Sequence, residues 1–144
     1  MRSLMTFSLL AIGLFSSQSV LAKVVAFECV SETVFVASDD YNPSEMMMES
    51  LQKLIEDRGK ETHYHLVDLD ERVWETRGRV LTNVVVSPSQ ISVLDSEGNG
   101  SSGEYLMINR TDLKFATKGL EKYGNLEERG TCEIVEQKES LRAF

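Results

Sequence analysis

Beyond its first 22 residues the chain has no apolar run approaching the roughly 20 residues that a membrane-crossing helix needs, so the remainder reads as a soluble polypeptide. Basic side chains are scarce, 15 against 23 acidic ones, for a net charge of −8. Nucleic acid is thereby disfavoured as a partner, because affinity for phosphate depends on cationic contacts. A basic protein partner is favoured in encounter rate. No serine stands in a nucleophile elbow, and no glycine-rich loop closes on a lysine. Repeats, linkers and low-complexity tracts are missing as well.

What the first residues do contain is a leader. Arg2 is followed by an apolar run centred on Phe7 to Phe15, then by polar Ser16 to Ser19 and by Val20-Leu21-Ala22, whose small residues suit a signal peptidase. Cleavage is expected after Ala22, in the bacterial style, which sends residues 23–144 to the periplasm or the medium. Losing Arg2 leaves 14 basic and 23 acidic side chains, a net charge of −9. The processed length suits one domain with one core.

Cys29 and Cys132 are the two cysteines. In an exported protein an even pair predicts a disulfide, here tying the two ends of a single domain. The chain-entropy model assigns about 4.7 kcal/mol to a loop of this length. A cysteine nucleophile is then excluded.

The remaining pattern is mainly β. Short β-branched and aromatic runs occur at 24–30, 33–37, 64–69, 80–86, 91–94, 105–108, 113–115 and 132–135, about eight strands separated by Gly, Pro and Asn turns. They predict either a small antiparallel barrel, whose closure removes exposed edges, or a strongly curved open sheet. One amphipathic helix is expected at about 43–58, with Asn42 as its cap, Pro43 at the first helical position, Glu45 at the third and Gly59 as its stop. Met47, Met48, Leu51, Leu54 and Ile55 form one stripe that should fill a core.

Several constellations bear on chemistry. Gly98-Asn99-Gly100-Ser101-Ser102-Gly103 has dinucleotide-loop spacing but runs into a strand-like Glu104 to Ile108, so it reads as a hairpin loop and no cofactor is expected. His63 and His65 share a strand face and would bind zinc if Asp68, Asp70 or Glu71 supplied a third ligand. Asp68 and Asp70 have the opposite parity on an unbroken strand, so the set needs a bulge or another strand. Asp39-Asp40 and Glu127-Glu128 are further acidic runs, and Asn99 and Asn109 begin glycosylation sequons that matter only in a eukaryotic host.

The frame of an early Cys29, the Val67-Asp68-Leu69-Asp70 stretch, Ile108 to Leu113 and Gly130-Thr131-Cys132 resembles small exported bacterial proteins of unassigned function. Ser102-Gly103-Glu104-Tyr105 and Thr117-Lys118-Gly119 resemble the loop motifs of periplasmic inhibitors of C-type lysozymes, which are small disulfide-bonded β-barrels. The first is one residue short of that family's motif, and Leu113 stands where the second has tyrosine. The resemblance implies binding through Ser102, Tyr105, Lys118 and Gly119, with Ser102 and Lys118 entering the lysozyme cleft. The leading expectation is therefore a non-enzymatic binding module with a protein partner. A small metal-dependent enzyme built on His63 and His65, or an envelope component without a defined ligand, are the alternatives.

Overall fold

Alternating apolar residues draw this chain into strands, and Gly, Asn and Asp turns fold each strand back on the last. The computed structural model describes residues 23–98 and 102–138. The expected leader at 1–22, the sequon at Asn99 and the terminal residues 139–144 lie outside the described residues. Strands β1 (Val24–Ala37), β2 (Lys60–Asp68), β3 (Val73–Thr76), β4 (Arg79–Thr82), β5 (Val85–Val86), β6 (Gln90–Asp95), β7 (Glu104–Asn109), β8 (Lys114–Gly119) and β9 (Gly124–Val135) form one antiparallel sheet. Its order is β4-β3-β2-β1-β9-β8-β7-β6-β5, curled into a half-barrel. The curl brings β4 alongside β6, where the Arg79 guanidinium grips the Asp95 carboxylate.

The expected β-rich fold is what the chain adopts, with four differences in detail. The runs at 24–30 and 33–37 are one strand of 14 residues, because β9 pairs with it continuously from Ala26 to Ala37. Residues 80–86 divide into β4 and β5, broken where Asn83 takes a left-handed backbone at φ 63°. β3 is additional. It is only four residues long and carries Glu75, so its alternation is too short to stand out. Thr117-Lys118-Gly119, likened above to a loop motif, forms the end of β8, leaving residues 120–123 as the turn.

Cys29 and Cys132 lie directly opposite each other in the β1–β9 ladder and are disulfide-bonded. A disulfide suggests an oxidising, extracytoplasmic environment. No helix among the described residues is long and apolar enough to cross a membrane.

Helix α1 (Glu45–Arg58) departs most from expectation. Its cap is Ser44 rather than Asn42: Ser44 is extended, and its hydroxyl accepts a hydrogen bond from the Met47 amide at 3.2 Å. Pro43 therefore precedes the cap. Gly59 ends the helix as expected, its N–H donating to the Ile55 carbonyl. None of the helix residues is buried, and Met46 is 78% exposed. The methionine stripe does not fill a core. The core lies among the strands and their turns, and no helix residue belongs to it.

Strand register fixes which side chains enter the concave face. From β1 the inward positions are Phe27, Cys29, Ser31 and Thr33, and pairing carries the same face to His63, His65 and Val67 on β2 and to Trp74 and Thr76 on β3. It continues through Cys132 and Glu128 on β9, Phe115 and Thr117 on β8, Glu104, Leu106 and Ile108 on β7, and Ile91, Val93 and Asp95 on β6. The interior thus has two ends. Phe27, Val67, Trp74, Ile91, Ile108 and Phe115 form the apolar one. Ser31, Thr33, Glu128, Thr117, Glu104 and Asp95 form a polar one, on the side of residues 96–98 and of the 120–123 turn.

Candidate functional site

The polar end is held by β-ladder geometry, since every one of its side chains sits at an inward strand position. A cleft of about 380 Å³ opens there, lined by Thr33, Arg58, Glu61, Arg77, Glu104, Leu126 and Glu128. Arg77 comes from the β3–β4 turn, where its φ of 51° and that of Gly78 at 75° reverse the chain tightly. Its Nη2 donates to Glu128 Oε1 at 2.7 Å and contacts His63 Nε2 at 2.9 Å. The Arg77 contact is a hydrogen bond when His63 Nε2 carries no hydrogen, and the Glu128 contact is one when it does.

Glu128 is further tied to the Ser31 hydroxyl at 3.1 Å, and its carboxylate oxygen lies 3.0 Å from His63 Nε2. Burial raises its pKa, but the hydrogen bond and charge of Arg77, with His63 and Ser31, outweigh burial and hold it below the ordinary carboxylate range. Glu104 shifts the other way. Burial first, then the negative charges of Glu128 and Asp95, push it up, against smaller opposing effects of Arg77 and Thr117. One cleft therefore contains two glutamates with opposed proton affinities. Beside them the Asp95 hydrogen bond raises the Arg79 pKa and keeps that guanidinium charged.

The His63 and His65 rings lie 6.2 Å apart, edge to face, in different settings. His65 is fully buried, its ring 5.6 Å from Trp74 and 5.1 Å from Phe115, and its Nδ1 accepts a hydrogen bond from Trp74 Nε1 at 3.0 Å. Burial, followed by the charges of His63 and Arg77, lowers its pKa to about 3, so it is a neutral core imidazole. Its Nε2 is buried without a hydrogen-bond partner. The expected third ligands fall elsewhere. Asp68 closes the β2–β3 turn by accepting from the Asp70 and Glu71 amides, and Asp70 pairs with Lys23 at 3.5 Å. His63 and Asp68 are five residues apart along β2, roughly 16 Å at the strand rise and on opposite faces.

The carboxylates that do approach His63 are Glu61 and Glu128. Glu61 shares its strand parity, and Glu128 arrives from a strand distant in sequence. The signal that marks this cluster is the switch, at constant inward parity along β1, from Phe27 and Cys29 to Ser31 and Thr33: the concave face turns polar there.

Ser102, Tyr105, Lys118 and Gly119 all lie at the open end of the β7–β8 hairpin, on the polar rim. Tyr105 and Lys118 are direct cross-strand partners and both exposed on the convex side. The Ser102 hydroxyl donates to Glu121 across the neighbouring turn. Gly119 is buried, and its N–H donates to the Glu127 carboxylate at 2.8 Å. Thr117 Oγ1 accepts from the Glu128 amide, and Arg129 bridges the Thr117 carbonyl and Glu127. These side chains fill in where the β8–β9 ladder parts beyond Ala116. Asn109 is a turn cap, its side-chain oxygen accepting from Thr111 and Asp112.

An aromatic and sulfur cluster occupies the same rim. Tyr41 and Tyr123 rings are 5.6 Å apart, the Tyr41 hydroxyl meets Met47 Sδ at 3.0 Å, and Lys122 Nζ lies over the Tyr123 ring. Tyr123, Leu120 and Met47 are exposed. No protein-family model, curated protein or solved structure matches this chain.

Proposed function

We propose that this protein is an exported, non-enzymatic binding module whose rim receives a basic protein partner, and that its sharpest form is an inhibitor of C-type lysozymes. The observation that carries this reading is the cluster of half-buried Tyr41 with exposed Met47 and Tyr123, flanked along the chain by the exposed acids Asp39, Asp40, Glu45 and Glu121. Aromatic residues and methionine are the side chains that interface cores enrich. The acids around them favour a cationic partner and speed its encounter. Ser102 and Lys118, on the adjacent hairpin end, supply the polar contacts that the lysozyme-inhibitor motifs imply. The leader at 1–22 and the disulfide agree with function in the periplasm or outside the cell.

Purified, oxidised protein is expected to inhibit a basic C-type lysozyme. Lys118→Ala and Tyr123→Ala should each raise the half-inhibitory concentration by about tenfold or more, a loss of about 1.4 kcal/mol. Absence of inhibition across C-type lysozymes removes the lysozyme version. If immobilised protein also retains basic proteins no better than acidic ones at low salt, the binding-module reading fails.

A further inference from the structure

His63, Glu61 and Glu128 point three electron-pair donors at one spot. His63 Nε2 is 3.0 Å from Glu128 Oε1 and 3.6 Å from Glu61 Oε2, and all three atoms lie within 4.8 Å of one another. Ligands about 2.0–2.2 Å from a tetrahedral zinc ion are themselves about 3.3–3.6 Å apart, so the first two separations need little adjustment. With His63 unprotonated at Nε2, three lone-pair atoms converge on a point where a cation would neutralise them. Here the cation is the protein's own, the Arg77 Nη2 lying against both His63 Nε2 and Glu128 Oε1.

Two independent features make that guanidinium replaceable. It is carried by an exposed turn residue on a long side chain, 35% accessible, while His63 and Glu128 are set in paired strands and only 10% and 15% accessible. Arg77 also lines a second cleft, on the side of Thr62, Tyr64 and Gly78, so a route to the donors exists from either side of it. A monocation held by two acceptors competes poorly with a dication held by three.

We propose that His63, Glu61 and Glu128 form a site for a single divalent zinc-class cation, which binds by displacing the Arg77 guanidinium. One imidazole and two carboxylates leave a fourth position for water, the donor count of an open zinc site. The chemistry of the set favours zinc over calcium or magnesium, which take oxygen ligands in larger number. With its cysteines joined, the protein has no free thiol to compete.

The test is equilibrium dialysis and calorimetry with zinc chloride on untagged, oxidised protein. One zinc per chain is expected for the wild type. Arg77→Met should bind about tenfold more tightly, because the competing cation is gone. His63→Gln should weaken binding by about a hundredfold or more, since even the hydrogen-bond partners of metal ligands are worth about 10- to 100-fold. Glu61→Gln, at an exposed position, repeats the test without risk to folding. The proposal is overturned by failure of the wild type to take up stoichiometric zinc, by uptake that His63→Gln and Glu61→Gln leave unchanged, or by Arg77→Met binding no tighter than wild type.

Discussion

The two ends of the half-barrel interior are built from the same strands, in the same register, yet they are held by different forces. At one end Trp74, Phe115 and Ile108 are excluded from water and stabilise the fold through apolar burial, which depends little on pH or salt. At the other, Glu128, Glu104, Asp95 and Arg79 occupy inward strand positions and Arg77 reaches in from the β3–β4 turn, with Arg77 paired to Glu128 and Arg79 to Asp95. The lesson is that a barrel interior need not be uniform. One end specifies the fold, and the other is free to hold charge because the first has already closed the sheet.

Substitutions at the two ends should separate these contributions. The largest effect is expected for Trp74→Ala, about 3–5 kcal/mol in urea unfolding at neutral pH, from the cavity and from leaving His65 Nδ1 without its donor. An intact midpoint would mean that the apolar end does not carry the stability.

The next effect is His65 under acid. Its pKa is lowered from 6.5 to about 3, so the unfolded chain takes up a proton below pH 6.5 that the folded chain refuses until about pH 3. Its contribution is present above pH 6.5 and is lost as pH falls toward 3. Between pH 7 and 4 this amounts to roughly 3 kcal/mol at most. In chelator-containing buffer, His65→Phe should flatten that part of the stability–pH curve, and an unchanged slope would show that His65 titrates normally.

A smaller pair of effects has opposite signs. Glu128 is depressed, so its contribution is present above about pH 4.5 and is lost as pH falls through its folded value. Glu128→Gln should destabilise by about 1–3 kcal/mol at pH 7, by loss of charge-assisted bonds to Arg77 and Ser31, and by progressively less in acid. Glu104 is raised, so its ionisation opposes the fold as pH climbs above about 4.5. Glu104→Gln should gain stability relative to wild type over that range and none below it. Parallel curves for the two variants, again with chelator, would refute the opposed assignment. Smallest of all is Met46→Ser on α1, expected to shift stability by less than about 0.5 kcal/mol because the side chain is already in water.

How much of this was legible varied with the range of the interactions. The β7–β8 hairpin was readable because its alternation and the Asn109 to Asp112 reversal are local. The disulfide was readable because two cysteines leave one pairing. The helix was placed to within two residues, but its destination was not: a stripe of methionines specifies a face and says nothing about what covers it. The His63 cluster was half visible. The imidazole stood out and Glu128 belonged to a visible acidic run, while nothing local marked Glu61 or Arg77 as its neighbours.

The amino-acid order alone therefore settled the β-rich class, the cystine and the excess of acid, since each follows from composition, local periodicity or a forced pairing. Which carboxylate meets which imidazole was decided only on folding. Glu128 and His63 are 65 residues apart, on strands that never pair with each other. They meet because β1 lies between β2 and β9 and the sheet curls, turning the inward positions of both toward a common centre.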